Sequence, residues 1–391
     1  MADVIPLLTI LGVHLKSEGY PNVTYRVQAL HACTNMRVRE INYPFRADLG
    51  KTDGRRRRFA SWHLLVTAFR VLYAHLNIFI CYLRADRRGV VYIPYPAVLI
   101  LFLFSILPRV VRPKAIAVDA FISIYDTVVN DRQLARADSV FGRLIWWLEN
   151  RAYGVADVVV VDTIFNAQYF IETFPSLRTR EVVALPLSID EPFFSGGQYQ
   201  ASHSTCKVVF LGTFVPLQGV ETIAKAAVLL TDRTDIHFSL VGNGQSADAV
   251  KEILTQHDCN NIEWITDWQS KAQVKAQIVS ADICLGIFGS GDKAQRVWPF
   301  KNYHYMAIGR ALITGDTKCA NNLADKAVGA KPFLTVPCGD ASALAKAIIV
   351  LADSPDKRAA LAEAGRKYYA SQLSSKAAVA QLYAILERIA Q

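Results

Sequence analysis

The chain has 391 residues, too long for one ordinary core and suited to two α/β domains of about 150 to 200 residues each. Hydrophobic residues make up 52% and charged residues 20%, which excludes a disordered chain and predicts large buried cores or contact with lipid. The formal charge of +9 asks for an anionic partner, and seven scattered cysteines without a CxxC pair or a metal-ligand spacing fit a reducing compartment.

Residues 5–11 form a short apolar run closed by Gly12, and 24–32 has helical spacing, so the chain opens as strand, glycine loop and helix. Asp3 and the lack of a basic leader or cleavage site argue against a signal peptide and for a cytoplasmic protein. Further strands are predicted at 90–93, 116–118, 158–161 and 182–185, with helices at 97–107, 140–155 and 163–174 between them. Such alternation implies parallel βαβ units and a doubly wound sheet. Residues 188–205 break the rhythm with Pro192, Gly196 and Gly197. Strands then resume at 208–211, 236–241, 262–265, 283–287 and 312–314. The expected organisation is a Rossmann-like domain over 1–190, a linker over 191–205, a second Rossmann-like domain over 206–356, and Ala-rich helices over 357–391 that return toward the first domain.

Between Lys51 and Gly89 stand nine Lys or Arg against two Asp. Arg55, Arg56, Arg57 and Arg58 lead into the nearly apolar residues 59–83, which include Trp62 and whose polar members His63, Thr67, Arg70 and Asn77 share one helical stripe. The length suffices for a bilayer, but Arg70 sits near the middle and basic residues flank both ends without asymmetry. Two readings stand: a helix lying on an anionic leaflet, peripheral on the inner face of a membrane, or a buried domain helix behind a solvated basic loop.

Three glycine loops follow predicted strands, at 12–19, 212–219 and 242–244. Glycine there lets backbone approach a phosphate at a helix N-terminus, although such turns also need glycine for conformation alone. Residues 288–309 leave the end of a strand and carry Lys293, Arg296 and Lys301 toward the start of a helix near Phe300. Bare positive charge is unfavourable at a helix N-terminus unless an anion sits there too, and a diphosphate resolves that conflict. A solvated basic loop is the plainer alternative.

In order and spacing, these features over 208–351, and more loosely over 12–189, resemble the family-4 retaining glycosyltransferases of the GT-B fold. The resemblance implies an α/β protein of two Rossmann-like doubly wound domains facing across a cleft, with the donor on the second domain. It implies that Gly212, Thr213, Gln218 and Gly219, then Gly242, Asn243 and Gly244, and then Lys293, Arg296 and Lys301 surround the donor diphosphate, Lys293 also serving the reaction. This chain departs from the pattern where His304 replaces the carboxylate that binds the ribose. Thr213 and Gln218 stand where many members have Arg and Lys, and Arg296 replaces the first Glu of the Glu-x7-Glu pair. Trp268 falls near the nucleobase position, and stacking on the base or burial in the core are both open for it. On the acceptor side the resemblance points to Gly19, Tyr125, Asp126 and Asp119, the last where relatives have a catalytic His or Asp. A carboxylate there orients or deprotonates the acceptor hydroxyl; an Asp is equally a helix N-cap or turn former. No Asp-x-Asp occurs, so neither a required metal nor a cofactor beyond the donor is expected.

The expected reaction is transfer of a sugar, with retention, from a nucleotide diphosphate sugar to a glycan or lipid-linked acceptor at a membrane surface. A nucleotide-sugar epimerase of the same fold would need an acid–base pair on both sides of the sugar, and no clear pair stands out. A non-enzymatic nucleotide or nucleic-acid binder would interleave aromatics with Lys and Arg, whereas this basic run adjoins an apolar helix, so nucleic acid is not an expected partner.

Overall fold

The computed structural model describes residues 6–13, 21–32, 35–43, 60–87, 89–195, 205–257 and 259–391; in the helix Ala60–Arg84, side chains are described at 66 and from 69 onward. Gly19, Arg55, Arg56, Arg57 and Arg58, and the side chain of Trp62, lie outside that set.

The chain divides into two compact units. One comprises residues 1–126, 135–188 and 378–391; the other comprises 127–134 and 189–377. The first unit is built on β1 (Leu7–Gly12), β2 (Arg37–Asn42), β3 (Val90–Ile93), β4 (Ala115–Asp119), β5 (Val158–Val161) and β6 (Glu181–Ala184), in the order β2-β1-β3-β4-β5-β6. The second is built on β7 (Cys206–Leu211), β8 (Ile236–Val241), β9 (Ile262–Ile265), β10 (Ile283–Leu285), β11 (Ala311–Gly315) and β12 (Leu334–Val336), in the order β12-β11-β10-β7-β8-β9. Every pairing is parallel. Parallel strands are covered on both faces, which is why β3 and β5 read as unbroken apolar runs, β4 as one up to Asp119, and all three are buried at every residue.

Two strands lie outside the predicted set. The sequence of β2, Arg-Val-Arg-Glu-Ile-Asn, is charged and at most half-buried because it forms an edge, where charge discourages further pairing. At one edge of the second sheet, β12 is three residues long, too short for a periodic signal.

One face of the first sheet packs under the helices Ala60–Arg84, Val98–Ile106, Val140–Tyr153 and Ile164–Thr173 through Ala74, Ile78, Leu101, Phe104, Tyr153 and Phe170. The other face packs under the helix Pro21–His31 and, from the far end of the chain, Leu382 and Leu386 of the helix Ser375–Ala390. The helix Pro355–Tyr368 stays with the second unit, where Arg358 is buried beside Asp282 and donates to the carbonyls of Leu351 and Ala352.

In the second sheet the strand order reverses between β7 and β10, which are neighbours. Loops leaving the carboxyl ends of such a pair splay to opposite faces and leave a crevice, the usual ligand position in open α/β sheets. The loops that leave β7 and β10 are 212–219 and 286–291.

Candidate functional site

The loop after β7 is held to the loop after β10 by backbone bonds: Phe288 N–H donates to Gln218 O at 3.0 Å, and Gly289 N–H to Leu217 O at 3.3 Å. Between them Gly219 adopts φ 62°, and a Cβ there would stand 2.5 Å from the Phe288 carbonyl carbon. Both the left-handed backbone and the close approach require glycine, which also starts the helix Val220–Val228. Gly242 is required for a different reason: a Cβ would lie 1.9 Å from the Gly212 carbonyl oxygen. The loop at Asn243 and Gly244 packs on Phe214, whose ring stacks on Trp264 at 5.5 Å. The glycines at 242 and 244 are thus accounted for by loop-on-loop packing, and Thr213 lies exposed beside them.

Lys301, second residue of the helix Phe300–Ile308, reaches back to this loop. Its ammonium donates to Gln218 Oε1 at 2.6 Å, sits 3.6 Å from the Phe210 ring centroid, and is 3.5 Å from the point where a Gly212 Cβ would be. Burial alone pushes its pKa well below the ordinary lysine value. No carboxylate of the described residues pairs with it. An amide oxygen and a ring face stabilise an ammonium less than an anion does, so the site is short of negative charge.

Of the three cations expected to converge, two are paired with carboxylates. Lys293 Nζ faces Asp131 Oδ2 and Thr127 Oγ1, both at 3.3 Å, on the segment 127–134 that belongs to the same unit. Arg296 pairs through Nε with Asp292 at 2.9 Å, four residues earlier on their short helix. Each already has a carboxylate within reach, whereas Lys301 hydrogen-bonds the glycine loop itself.

His304, one turn beyond Lys301, is buried with its ring stacked on Phe194 at 3.8 Å and edge-on to Phe300 at 4.9 Å. Its Nε2 is buried without a hydrogen-bond partner. Burial, with Lys271 adding to it and Asp190 opposing, lowers its pKa to about 3, so the ring is neutral. Lys271 and Asp190 themselves form an ion pair beside Phe193. Trp268 is 81% exposed, which removes the core reading for it; the packed indole of that strand is Trp264, donating to Gly242 O.

In the first unit, Asp119 ends β4 but is neither open to solvent nor an N-cap. Its Oδ2 accepts from Arg26 Nη1 at 2.7 Å, from Tyr92 OH at 3.2 Å and from Asn22 Nδ2 at 3.4 Å, all buried. Arg26 in turn donates to Pro186 O at 2.9 Å. A carboxylate engaged in this way orients the strand ends and is not placed to take a proton from an acceptor, which corrects the catalytic expectation. The backbone of Tyr125 and Asp126 is set by a residue the sequence did not single out. Glu149, fully buried in the helix Val140–Tyr153, accepts from Ser123 Oγ, Ile124 N, Tyr125 N and Tyr153 OH at 2.7 to 3.1 Å. Asp126 N–H is bound by Ser123 Oγ at 3.0 Å. Nothing in the helical spacing distinguishes Glu149 from a solvated glutamate, so it left no signal.

Two parallel doubly wound units, the second with a cation-bearing crevice at its switch point, have the GT-B fold seen in solved glycosyltransferase structures. Residues 205–354 match the family model for glycosyl transferases group 1. Similar folds among solved structures include a sucrose-phosphate synthase from Thermosynechococcus elongatus, at 14% identity and TM-score 0.70, covering 98% of this chain and 99% of that one. HepE from Anabaena in complex with UDP is similar at 13% identity and TM-score 0.62, over 98% and 99% of the two chains. A glycosyltransferase from Rickettsia africae is similar at 12% identity and TM-score 0.59, over 98% of each. No curated protein matches the sequence.

Proposed function

We propose that the protein transfers a sugar, with retention, from a nucleoside diphosphate sugar to a hydroxyl of a glycan or lipid-linked acceptor met at the inner face of a membrane. The observation that carries the donor half is Lys301: a buried ammonium without an anion, at the start of a helix, against the glycine loop of the switch point. A diphosphate supplies the missing negative charge to both the ammonium and the helix end. The bond from the anomeric carbon to the diphosphate breaks, one to the acceptor oxygen forms, and the nucleoside diphosphate leaves. With Asp119 engaged by Arg26, the acceptor proton is assigned to the departing phosphate oxygen. The anomeric outcome and the acceptor class rest on the family resemblance; a UDP complex of a similar fold supports the donor class.

Thermal stabilisation by nucleoside diphosphates and by the matching nucleosides tests this, because a ligand that binds only the folded state raises its stability by mass action. Lys301→Ala is expected to weaken diphosphate binding by about 1.5–3 kcal/mol, the size of a charge-assisted hydrogen bond, and to leave nucleoside binding nearly unchanged. Equal losses for both would take Lys301 out of the phosphate site.

A further inference from the structure

The first unit exposes apolar surface in a pattern that a folded, water-facing domain does not need. In the helix Ala60–Arg84, Ala74, Ile78 and Tyr82 face the core, while Phe69, Leu72, Tyr73, Leu76, Ile80 and Leu83 are exposed. At 3.6 residues per turn these six fall on one stripe about 100° wide, directly opposite the buried three. The solvent-facing stripe is therefore apolar. The next two helices of the same layer repeat the arrangement. Leu99 and Ile106 are exposed on Val98–Ile106, and Phe141, Leu144 and Trp147 on Val140–Tyr153, with the Trp147 ring 5.6 Å from Phe102. Because all three helices bury their inner sides in one core on one sheet face, their outer sides look the same way. Scattered exposed apolar residues are ordinary; a continuous run over three helices marks an interaction surface.

Charge decides among occupants. The three helices contain a single acidic residue, Glu149, and it is fully buried; the exposed charges on them are Arg70, Arg84, Arg143 and Arg151. Arg109, exposed, and Val110, 87% exposed, follow the second helix. A second copy would set these arginines against one another, whereas an anionic leaflet pairs with them while its acyl boundary takes the apolar stripes. No helix among the described residues is long and apolar enough to cross a membrane, so contact is interfacial.

We propose that the outer face of the helices Ala60–Arg84, Val98–Ile106 and Val140–Tyr153 lies on an anionic lipid surface. This deepens the proposed function by naming the surface that meets the membrane, and it does not depend on the donor chemistry.

Flotation of the full chain with phosphatidylcholine vesicles, with and without phosphatidylglycerol, tests it. The parent binds the mixed vesicles at low salt and hardly binds phosphatidylcholine alone. The triple variant Phe69→Gln, Leu76→Gln and Ile80→Gln binds on the order of tenfold more weakly or worse. Arg143→Glu with Arg151→Glu, a second variant on another helix, loses about fivefold per charge at low salt, a difference that fades as salt rises. All these positions are exposed, so both variants keep the parent's unfolding midpoint, and Leu229→Gln on the second unit keeps its vesicle binding. Failure of the parent to float with mixed vesicles, or parent-like flotation of both variants, overturns the proposal. So does a dimer in light scattering that the triple variant dissociates while no vesicle binding is seen, since the face then belongs to a second copy. If nucleoside diphosphates fail to stabilise the protein while vesicle binding behaves as described, the donor reading falls and the lipid surface stands.

Discussion

His304 carries a pH dependence whose sign follows from its burial. Its folded pKa is about 3 against an ordinary 6.5, so between those values the unfolded chain binds a proton that the folded chain refuses. Stability therefore falls as pH drops below 6.5, by up to about 1.4 kcal/mol per unit while this group dominates. His304→Leu removes that contribution, and the variant's loss of stability between pH 6.5 and 4.5, measured by urea unfolding, is expected to be smaller than the parent's. Equal slopes would show that other groups govern acid sensitivity. At this scale the sequence was informative about residue type and less so about geometry. Lys301 was legible because a lysine at a helix start is electrostatically odd wherever it is found. That Lys293 would be taken up by Asp131 was not legible, since that carboxylate comes from a segment some 160 positions away, whereas Asp292 stands four residues before Arg296 and that pairing was there to be read. Asp119 failed for the same reason: its partner Arg26 lies 93 residues earlier.

Strands made mostly of apolar residues were read nearly to the residue; Val90–Ile93, Val158–Val161, Ile236–Val241 and Ile262–Ile265 coincide with predicted strands. Those whose residues answer to something other than core burial were not, as with the charged edge Arg37–Asn42. The helix Val140–Tyr153 shows the cost of reading an element by its pattern alone, since its one glutamate points inward and holds the turn 123–125. In Glu149→Gln an amide N–H would face the N–H of Ile124 or Tyr125, setting donor against donor. A loss of about 1–3 kcal/mol in unfolding free energy is expected, the usual cost of a buried unsatisfied polar group. Tyr153→Phe, which removes one donor and leaves the carboxylate its other three, is expected to cost less. A Glu149→Gln variant as stable as the parent would mean that the turn is held by its other contacts.

At the scale of the whole molecule, the chain path is less simple than two consecutive halves. Residues 127–134 belong to the second unit although they lie between β4 and β5, and residues 378–391 belong to the first although they follow every strand of the second. The sequence had the whole of 357–391 returning toward the first domain and gave no sign that 127–134 leaves it, because a helix has the same spacing whichever sheet it covers. The last exchange has a thermodynamic consequence. Leu382 and Leu386 are fully buried, in the same cluster as Leu8, Ile10, Val23 and Val27, so they cover one face of the first sheet. Burying a leucine contributes about 1.5–3 kcal/mol, and leaving its neighbours facing water or a void adds to the loss. Deleting residues 378–391 is therefore expected to cost the first unit several kcal/mol, a large part of what a domain of this size has to spare. The second unit keeps its own core and Lys301, so it is expected to remain folded and to be stabilised by nucleoside diphosphates. Calorimetry resolves the two cases: the truncated chain should show an early transition insensitive to nucleotide and a later one that nucleotide raises. A single transition, moved down as a whole but still raised by nucleotide, would show that the two units unfold together and that the terminal helix stabilises both.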